Sequence, residues 1–335
     1  MKIIMSESES RMYKKVPATQ RSVGFTLGLK KLKAQIVFML FASLGMLGVV
    51  AAPDAKAESC VSGYFFFCQD VQYGSASYQR LDVYRPLGSG QYPTIVYVHG
   101  GGWTGGGKAL SGYDFTNVLR EVPRGYAVVS IDYRLASVNT PDTKAPGALL
   151  DVKQAVKWIK AYGSGYGLDG TRMVLWGHSA GGHLSTLAAA TVGDAGTEPS
   201  SYPGVSSSVR GVFSFAGVYD FTLALPQGTA NSASTYLQCL TPGAQAWLPQ
   251  CTAAWMSKWS PAGVITAGDP GVVIVHNQDD PIVPFNQAQR YEWWLNALGH
   301  KVGTCYQPTG SHGNFAACNS PVDFVLGLTI AAGAR

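Results

Sequence analysis

The stretch Gly177-His178-Ser179-Ala180-Gly181-Gly182 constrains this chain more than any other, because of what stands on either side of it. Upstream, Arg172 to Trp176 is a short apolar run of strand type; downstream, Ala180 to Val192 is rich in Ala and Leu and reads as helix. Ser179 therefore sits on a strand-to-helix turn. Such a turn is tight, and a side chain at Gly177 or Gly181 would crowd the strained backbone or the neighbouring elements. A fold that accepts it must feed a strand in and a helix out, leaving one serine hydroxyl at the apex. With 40 glycines among 335 residues, the G-x-S-x-G spacing carries little weight alone. A Gly-rich turn with a capping serine is the alternative, so the surroundings decide.

Those surroundings alternate between strand and helix. Tyr78 to Arg85 alternates as a half-buried strand does and ends at Pro86, and Pro93 to His99 is a mostly apolar run suited to burial on both faces. Tyr126 to Asp132 reads as another strand. Ala148 to Lys160 reads as an amphipathic helix with Leu149, Val152, Val156 and Ile159 on its apolar stripe and Lys153, Lys157 and Lys160 mostly toward solvent. Val209 to Phe215, Gly271 to His276 and Lys301 to Tyr306 supply further strands; Phe285 to Leu298 and Pro321 to Ala332 supply helices. The expected fold class is α/β, with a mainly parallel central sheet flanked by helices. Asp220 to Pro261 stands out as a long irregular piece with four prolines, two cysteines and Trp247, Trp255 and Trp259. It reads as an insertion, or lid, after the sixth strand, folded over a site and carrying its specificity.

The formal charge of +5 is a property of the leader. Residues 1–57 hold 9 Lys/Arg and 3 Asp/Glu, leaving 16 and 17 from Glu58 onward, a net −1 that gives no support to a nucleic-acid partner. Lys30, Lys31 and Lys33 precede an uncharged apolar run from Ile36 to Ala52, and Ala55-Lys56-Ala57 then offers an A-x-A cleavage site. The expectation is an export signal over 1–57, a catalytic domain over 58–335, a secreted or periplasmic protein, and no stable membrane partner after cleavage; an uncleaved anchor is the alternative. All six cysteines lie beyond the cut. Their grouping suggests Cys60–Cys68, Cys239–Cys251 and Cys305–Cys318 as disulfides, and the lack of any C-x-x-C gives no support to a metal.

In an open parallel sheet, the loops at the carboxyl ends of the strands share one edge. Ser179, the triglycine stretch Gly100-Gly101-Gly102, Asp279/Asp280 and His312 each follow an expected strand. His300 lies between a helix and a strand, at the opposite edge; His183 lies inside a helix; His276 precedes the acid; His99 and His178 read as structural hydrogen-bonding groups. A serine hydroxyl needs a base to take its proton, here His312, and a carboxylate to orient the imidazole, with Asp280 preferred over Asp279. The N–H groups of Gly101, Gly102 and Ala180 are placed to receive negative charge developing on a carbonyl oxygen.

His99-Gly100-Gly101-Gly102-Trp103, Asp132-Tyr133-Arg134-Leu135, the Ser179 turn, Asp280-Pro281-Ile282-Val283-Pro284 and His312-Gly313 together resemble the α/β-hydrolase carboxylesterases. Within these, they resemble the hormone-sensitive-lipase-like and bacterial feruloyl or acetyl esterase group. The resemblance runs from about Tyr78 to Ala332. It implies Ser179, Asp280 and His312 as a catalytic triad and Gly101, Gly102 and Ala180 as an oxyanion hole, with no cofactor and no metal. The D-x-x-V-P pattern of the acid loop supports Asp280. The expected activity is hydrolysis of small or aromatic acyl esters, small-molecule or polymer-linked, through an acyl-enzyme. A peptidase, a polyester depolymerase or a noncatalytic binding protein on the same fold are the alternatives. The cysteine pairs and the insertion depart from the family pattern.

Overall fold

The computed structural model describes residues 59–111, 117–140, 144–239, 251–315 and 318. The leader read over 1–57, Trp247 and the helix read from Pro321 to Ala332 lie outside these residues. Among the described residues, nine strands form one sheet: β1 (Ser59–Ser62), β2 (Phe66–Gln72), β3 (Arg80–Arg85), β4 (Tyr92–Val98), β5 (Ala127–Ile131), β6 (Leu168–His178), β7 (Gly211–Phe215), β8 (Gly271–Asn277) and β9 (Val302–Gln307). They lie side by side in the order β1-β2-β3-β5-β4-β6-β7-β8-β9. The β1, β2, β3 and β5 pairings are antiparallel, and β5 through β9 run parallel in the remainder. This is the mainly parallel α/β sheet expected.

Both faces of the sheet are covered, which explains why the central strands read as continuous apolar runs. Along β4, Val96 and Val98 face one core while Ile95 and Tyr97 face the other; Leu175 and Trp176 divide in the same way along β6. The helices are α1 (Gly147–Tyr162), α2 (Ala180–Ala190), α3 (Gln227–Tyr236), α4 (Ala253–Lys258), α5 (Pro261–Val264) and α6 (Asn286–Ala297). Among them no helix is long and apolar enough to cross a membrane.

Leu149, Val152, Val156 and Ile159 of α1 are buried as their spacing implies, but Lys153 and Lys157 are buried too, contrary to the solvent-facing expectation. The segment after α2 covers this flank. Lys153 Nζ donates to Thr191 O (2.5 Å) and Thr197 Oγ1 (3.1 Å) and pairs with Glu198 at 3.1 Å, while Lys157 Nζ donates to Pro199 O at 3.0 Å. Burial pushes the Lys153 ammonium below its usual pKa, and Glu198 opposes the shift.

Two further expectations change. The insertion follows the seventh strand, not the sixth: the five strands read before Asp220 are all present, and the hairpin β1–β2, which the sequence reading did not contain, adds two ahead of Arg80. Nor are the described parts of the insertion irregular: α3 and α4 lie within it. Ser, Thr, Asn and Gly are weak helix formers, so Gln227–Tyr236 carries little local signal; tertiary burial of Ala233, Ser234 and Tyr236 holds it. The cysteines pair as their spacing suggested, Cys60–Cys68 across β1 and β2, Cys239–Cys251 within the insertion, and Cys305–Cys318 around the segment after β9.

Candidate active site

At the end of β6 the chain turns into α2 with Ser179 at φ 55° and ψ −118°, a left-handed conformation that a non-glycine residue adopts only under constraint. The constraint is visible. Ser179 N–H donates to Phe215 O at 2.8 Å, and Ser179 O accepts from His183 N at 3.1 Å. A Cβ at Gly177 would collide with the Gly181 carbonyl, and one at Gly181 would collide with the carbonyls of Val98 and His99. Both glycines of the motif are therefore required by backbone approach, the reason given for them from sequence.

The triglycine stretch leaves the end of β4 and passes beside the elbow. Gly101 (φ 107°), Gly102 (φ 59°) and Trp103 (φ 61°) all take positive φ, and Thr104 and Gly105 donate to Gly101 O at 3.2 and 3.0 Å. Among the described residues the amide N–H groups of Gly101, Gly102 and Ala180 find no acceptor. Trp103 anchors the loop: it is buried, stacks on Tyr236 of α3 at 5.4 Å and donates from Nε1 to His183 Nδ1 at 3.1 Å. His99 stacks on Tyr133 at 4.1 Å and donates from Nδ1 to Gly100 O at 2.7 Å, while Tyr133 Oη donates to His99 O at 2.9 Å. Asp132 Oδ1 accepts from Lys108 N at 2.6 Å, and Arg134 forks onto buried Asp151. The Asp-Tyr-Arg motif thus scaffolds the glycine loop from below.

The acid and the imidazole come from the ends of β8 and β9. His312 Nδ1 donates to Asp280 Oδ2 at 2.7 Å, and Asp280 Oδ1 accepts from the amides of Ile282 (2.8 Å) and Val283 (3.0 Å). Burial raises the Asp280 pKa, but the His312 N–H and these two amides outweigh it and hold the carboxyl below its ordinary range. The bond to Asp280 fixes the proton on Nδ1 and leaves the Nε2 lone pair of His312 free. His276, 3.6 Å from Asp280, is fully buried, kept neutral by burial and donates to Val283 O at 2.8 Å. Asp279 is exposed and does not meet the imidazole; its carboxylate accepts from Gly310 N (3.2 Å) and Ser311 N (2.9 Å). His178 donates from Nε2 to His312 O at 2.8 Å. The structural hydrogen-bonding role read for His178 is the one it has; that it and Asp279 both hold the His312 segment was not legible, since no local pattern marks such a contact. His300 lies between α6 and β9, away from this edge.

Ser179, His312, His178, Gly101 and Gly102 line one cavity of 410 Å³, with Asp280 behind the imidazole. Trp103 and Val218 contribute apolar wall, Ile282 comes from the acid loop, and Pro226, Gly228, Thr229 and Ser232 come from the insertion. Thr229 Oγ1 donates to Ile282 O at 2.7 Å, tying α3 to the acid loop across the mouth. The insertion does fold over the site, but through α3; Trp255 and Trp259 pack against each other and do not line the cavity. A wider cleft of 570 Å³ beside Lys160, Thr171 and Arg210 lies at the opposite edge of the sheet and contains none of Ser179, Asp280 or His312.

A parallel sheet whose strand ends carry a strained serine turn, a glycine loop and an Asp–His pair in this chain order is the α/β-hydrolase fold. The sequence profile of the BD-FAE family matches residues 81–295, more than half of the chain, and the chain belongs to that family. Esterase LipC of Mycobacterium tuberculosis is 30% identical over 246 residues, covering 72% of this chain and 59% of that protein. The probable carboxylic ester hydrolase LipM of the same organism is 32% identical over 234 residues, covering 66% of this chain and 50% of that protein. The chain thus spans between half and three-fifths of the length of these relatives. Among solved structures, a truncated form of a carbohydrate esterase from gut microbiota shares the fold with a TM-score of 0.64 and 23% identity, covering 80% of this chain and 95% of that one.

Proposed function

We propose that the protein is an exported serine carboxylic-ester hydrolase acting on small or aromatic acyl esters. The observation that carries the reading is the 2.7 Å bond from His312 Nδ1 to buried Asp280, with His312 and the strained Ser179 facing one cavity. In the reaction, His312 Nε2 takes the Ser179 proton as Oγ attacks the ester carbonyl carbon. The oxyanion that forms is received by the amides of Gly101, Gly102 and Ala180, each such donor contributing about 3–4 kcal/mol to lowering the barrier. The imidazolium, stabilised by Asp280, then returns its proton to the departing alkoxide, leaving an acyl-enzyme and a free alcohol. Water, deprotonated by the same imidazole, attacks the acyl-enzyme and releases the carboxylic acid and the serine.

Neither Ser179 Oγ nor His312 Nε2 has a hydrogen-bond partner among the described residues, consistent with a resting site whose contacts tighten on substrate. The names of the esterase relatives support ester hydrolysis, and the volume of the cavity supports a compact acyl group. Three disulfides support an oxidising compartment, hence export. A burst of nitrophenol from an activated ester, equal to the enzyme concentration, is expected before the steady state and is absent from Ser179→Ala; an unaltered rate in that variant rejects the mechanism. Profiling acetyl, feruloyl, long-chain and peptide substrates side by side separates the esterase from the peptidase and polyesterase alternatives.

A further inference from the structure

The geometry points to His178 and Asp279 as positioning residues for His312, each the immediate chain neighbour of another member of the triad; the inference rests on the Ser179, Asp280 and His312 reading above. The segment carrying His312 follows β9 and has no strand partner among the described residues. Ser311 takes φ 55°, which a non-glycine residue keeps only where its surroundings hold it. Several side chains hold the segment's backbone. Gln307 donates from Nε2 to Asn314 O (3.0 Å) and Asn277 from Nδ2 to Ser311 O (2.8 Å) and Asn314 O (2.9 Å), but both are buried, on β9 and at the end of β8, and bond to each other, so this pair belongs to the sheet core.

His178 and Asp279 differ from that pair in both place and connection. His178 is half-buried at the cavity, and its ring reaches from the residue before the nucleophile to the carbonyl of the base itself, with ring centroids 5.0 Å apart. Asp279 is solvent-exposed, and its two oxygens take the amides of the two residues before His312. One clamp therefore refers the imidazole to the serine elbow and the other refers it to the acid loop. The Ser–His and His–Asp spacings are set by these neighbours and not by sheet pairing alone. Displacing a catalytic group by about 1 Å can cost on the order of 100-fold in rate, so the clamps act on turnover more than on stability.

The test uses the full chain with His178→Leu, His178→Gln, Asp279→Ala and Asp279→Asn. Turnover of nitrophenyl acetate is referred to competent sites counted with a fluorophosphonate, and unfolding is followed by circular dichroism. His178→Leu and Asp279→Ala are each expected to lower kcat per titrated site about 10- to 100-fold, with KM within about twofold. The side chain in His178→Gln keeps an N–H donor near the Nε2 position, and Asp279→Asn keeps one acceptor, so each is expected to recover most of that loss. Unchanged kcat per site in His178→Leu and Asp279→Ala overturns the inference, whatever the melting temperature does. A loss that the Gln and Asn variants fail to recover also overturns it, because the hydrogen bond is then not the operative element. Should His178→Leu not fold, His178→Asn replaces it, since its shorter amide falls short of the carbonyl and is expected to be slow. A fully active Ser179→Ala rejects the triad itself and this inference with it.

Discussion

Asp280→Asn separates the orienting role proposed for this carboxylate from its structural role, and the structure gives the reason. Oδ1 of Asp280 accepts two backbone amides, from Ile282 at 2.8 Å and Val283 at 3.0 Å, while Oδ2 accepts from His312 Nδ1 at 2.7 Å. An Asn side chain has only one accepting oxygen, and satisfying both amides commits it to the Oδ1 position. Its NH2 then faces His312 Nδ1 and donates to it. That forces the imidazole proton onto Nε2 and removes the lone pair that, in the proposed mechanism, accepts the Ser179 proton. The equivalent substitution in a serine protease triad lowers kcat about 10⁴-fold, equivalent to about 5 kcal/mol of barrier, and a loss of that order is expected here. Both backbone bonds survive, so unfolding is expected to shift by less than about 1–2 kcal/mol. Asp280→Ala, in contrast, strips an acceptor from both amides, one fully and one partly buried, and is expected to cost about 2–4 kcal/mol of stability as well as activity. The assay is steady-state hydrolysis of nitrophenyl acetate with urea unfolding of each variant. An Asp280→Asn protein that folds normally and keeps more than a tenth of wild-type kcat refutes the orienting role.

Gly181→Ala drives a Cβ into the carbonyls of Val98 and His99; a loss of about 1–3 kcal/mol or more, seen as a lower melting temperature, accompanies loss of fluorophosphonate labelling. Replacing Cys305 and Cys318 by Ala opens a closure of 13 residues and is expected to cost about 3 kcal/mol in urea unfolding; an unchanged midpoint argues against a stabilising bridge. Burial lowers the His183 pKa to about 4. Since the unfolded chain then binds a proton near pH 6.5 and the native protein does not, stability is full above pH 6.5. It falls by about 1.4 kcal/mol per pH unit between there and about pH 4, and that slope is expected to flatten in His183→Gln.

The strands that carry the site were legible because burial on two faces writes itself as apolar runs, in Pro93–His99 and Gly271–His276 above all, and because Gly177 and Gly181 mark a place where backbone must approach backbone. What stayed illegible depends on partners far away in the chain. The β1–β2 hairpin is short, half-exposed and pinned by Cys60–Cys68, so its alternation is weak. Lys153 and Lys157 carry the charge that usually marks a solvent face, and only the path of residues 191–199 over α1 buries them. Between the adjacent Asp279 and Asp280 the D-x-x-V-P pattern was enough to prefer Asp280, which does meet His312; what it could not show is that the turn before Pro281 sends Asp279 outward to the amides of Gly310 and Ser311.

That turn belongs to a wider pattern in how the molecule distributes strain. Of the non-glycine residues with positive φ among those described, Trp103, Ser179, Ala216 and Ser311 lie just past the ends of β4, β6, β7 and β9, at the edge that holds the cavity. Each costs on the order of 1–3 kcal/mol and persists only where its surroundings leave no alternative. For two of them the surroundings are buried strands: Ser179 N–H is tied to Phe215 O and Ala216 N–H to Val275 O, both at 2.8 Å, so these two continue the sheet's hydrogen bonding past its last regular rung, while Ser311 is held by the side chains of Asp279 and Asn277. Relaxing the turn at Ser179 or Ala216 would break a backbone bond to the next strand. The parallel sheet thereby does more than bring distant residues together; it supplies the rigidity that keeps a serine, an imidazole and a row of unpaired amides in positions none of them would hold alone.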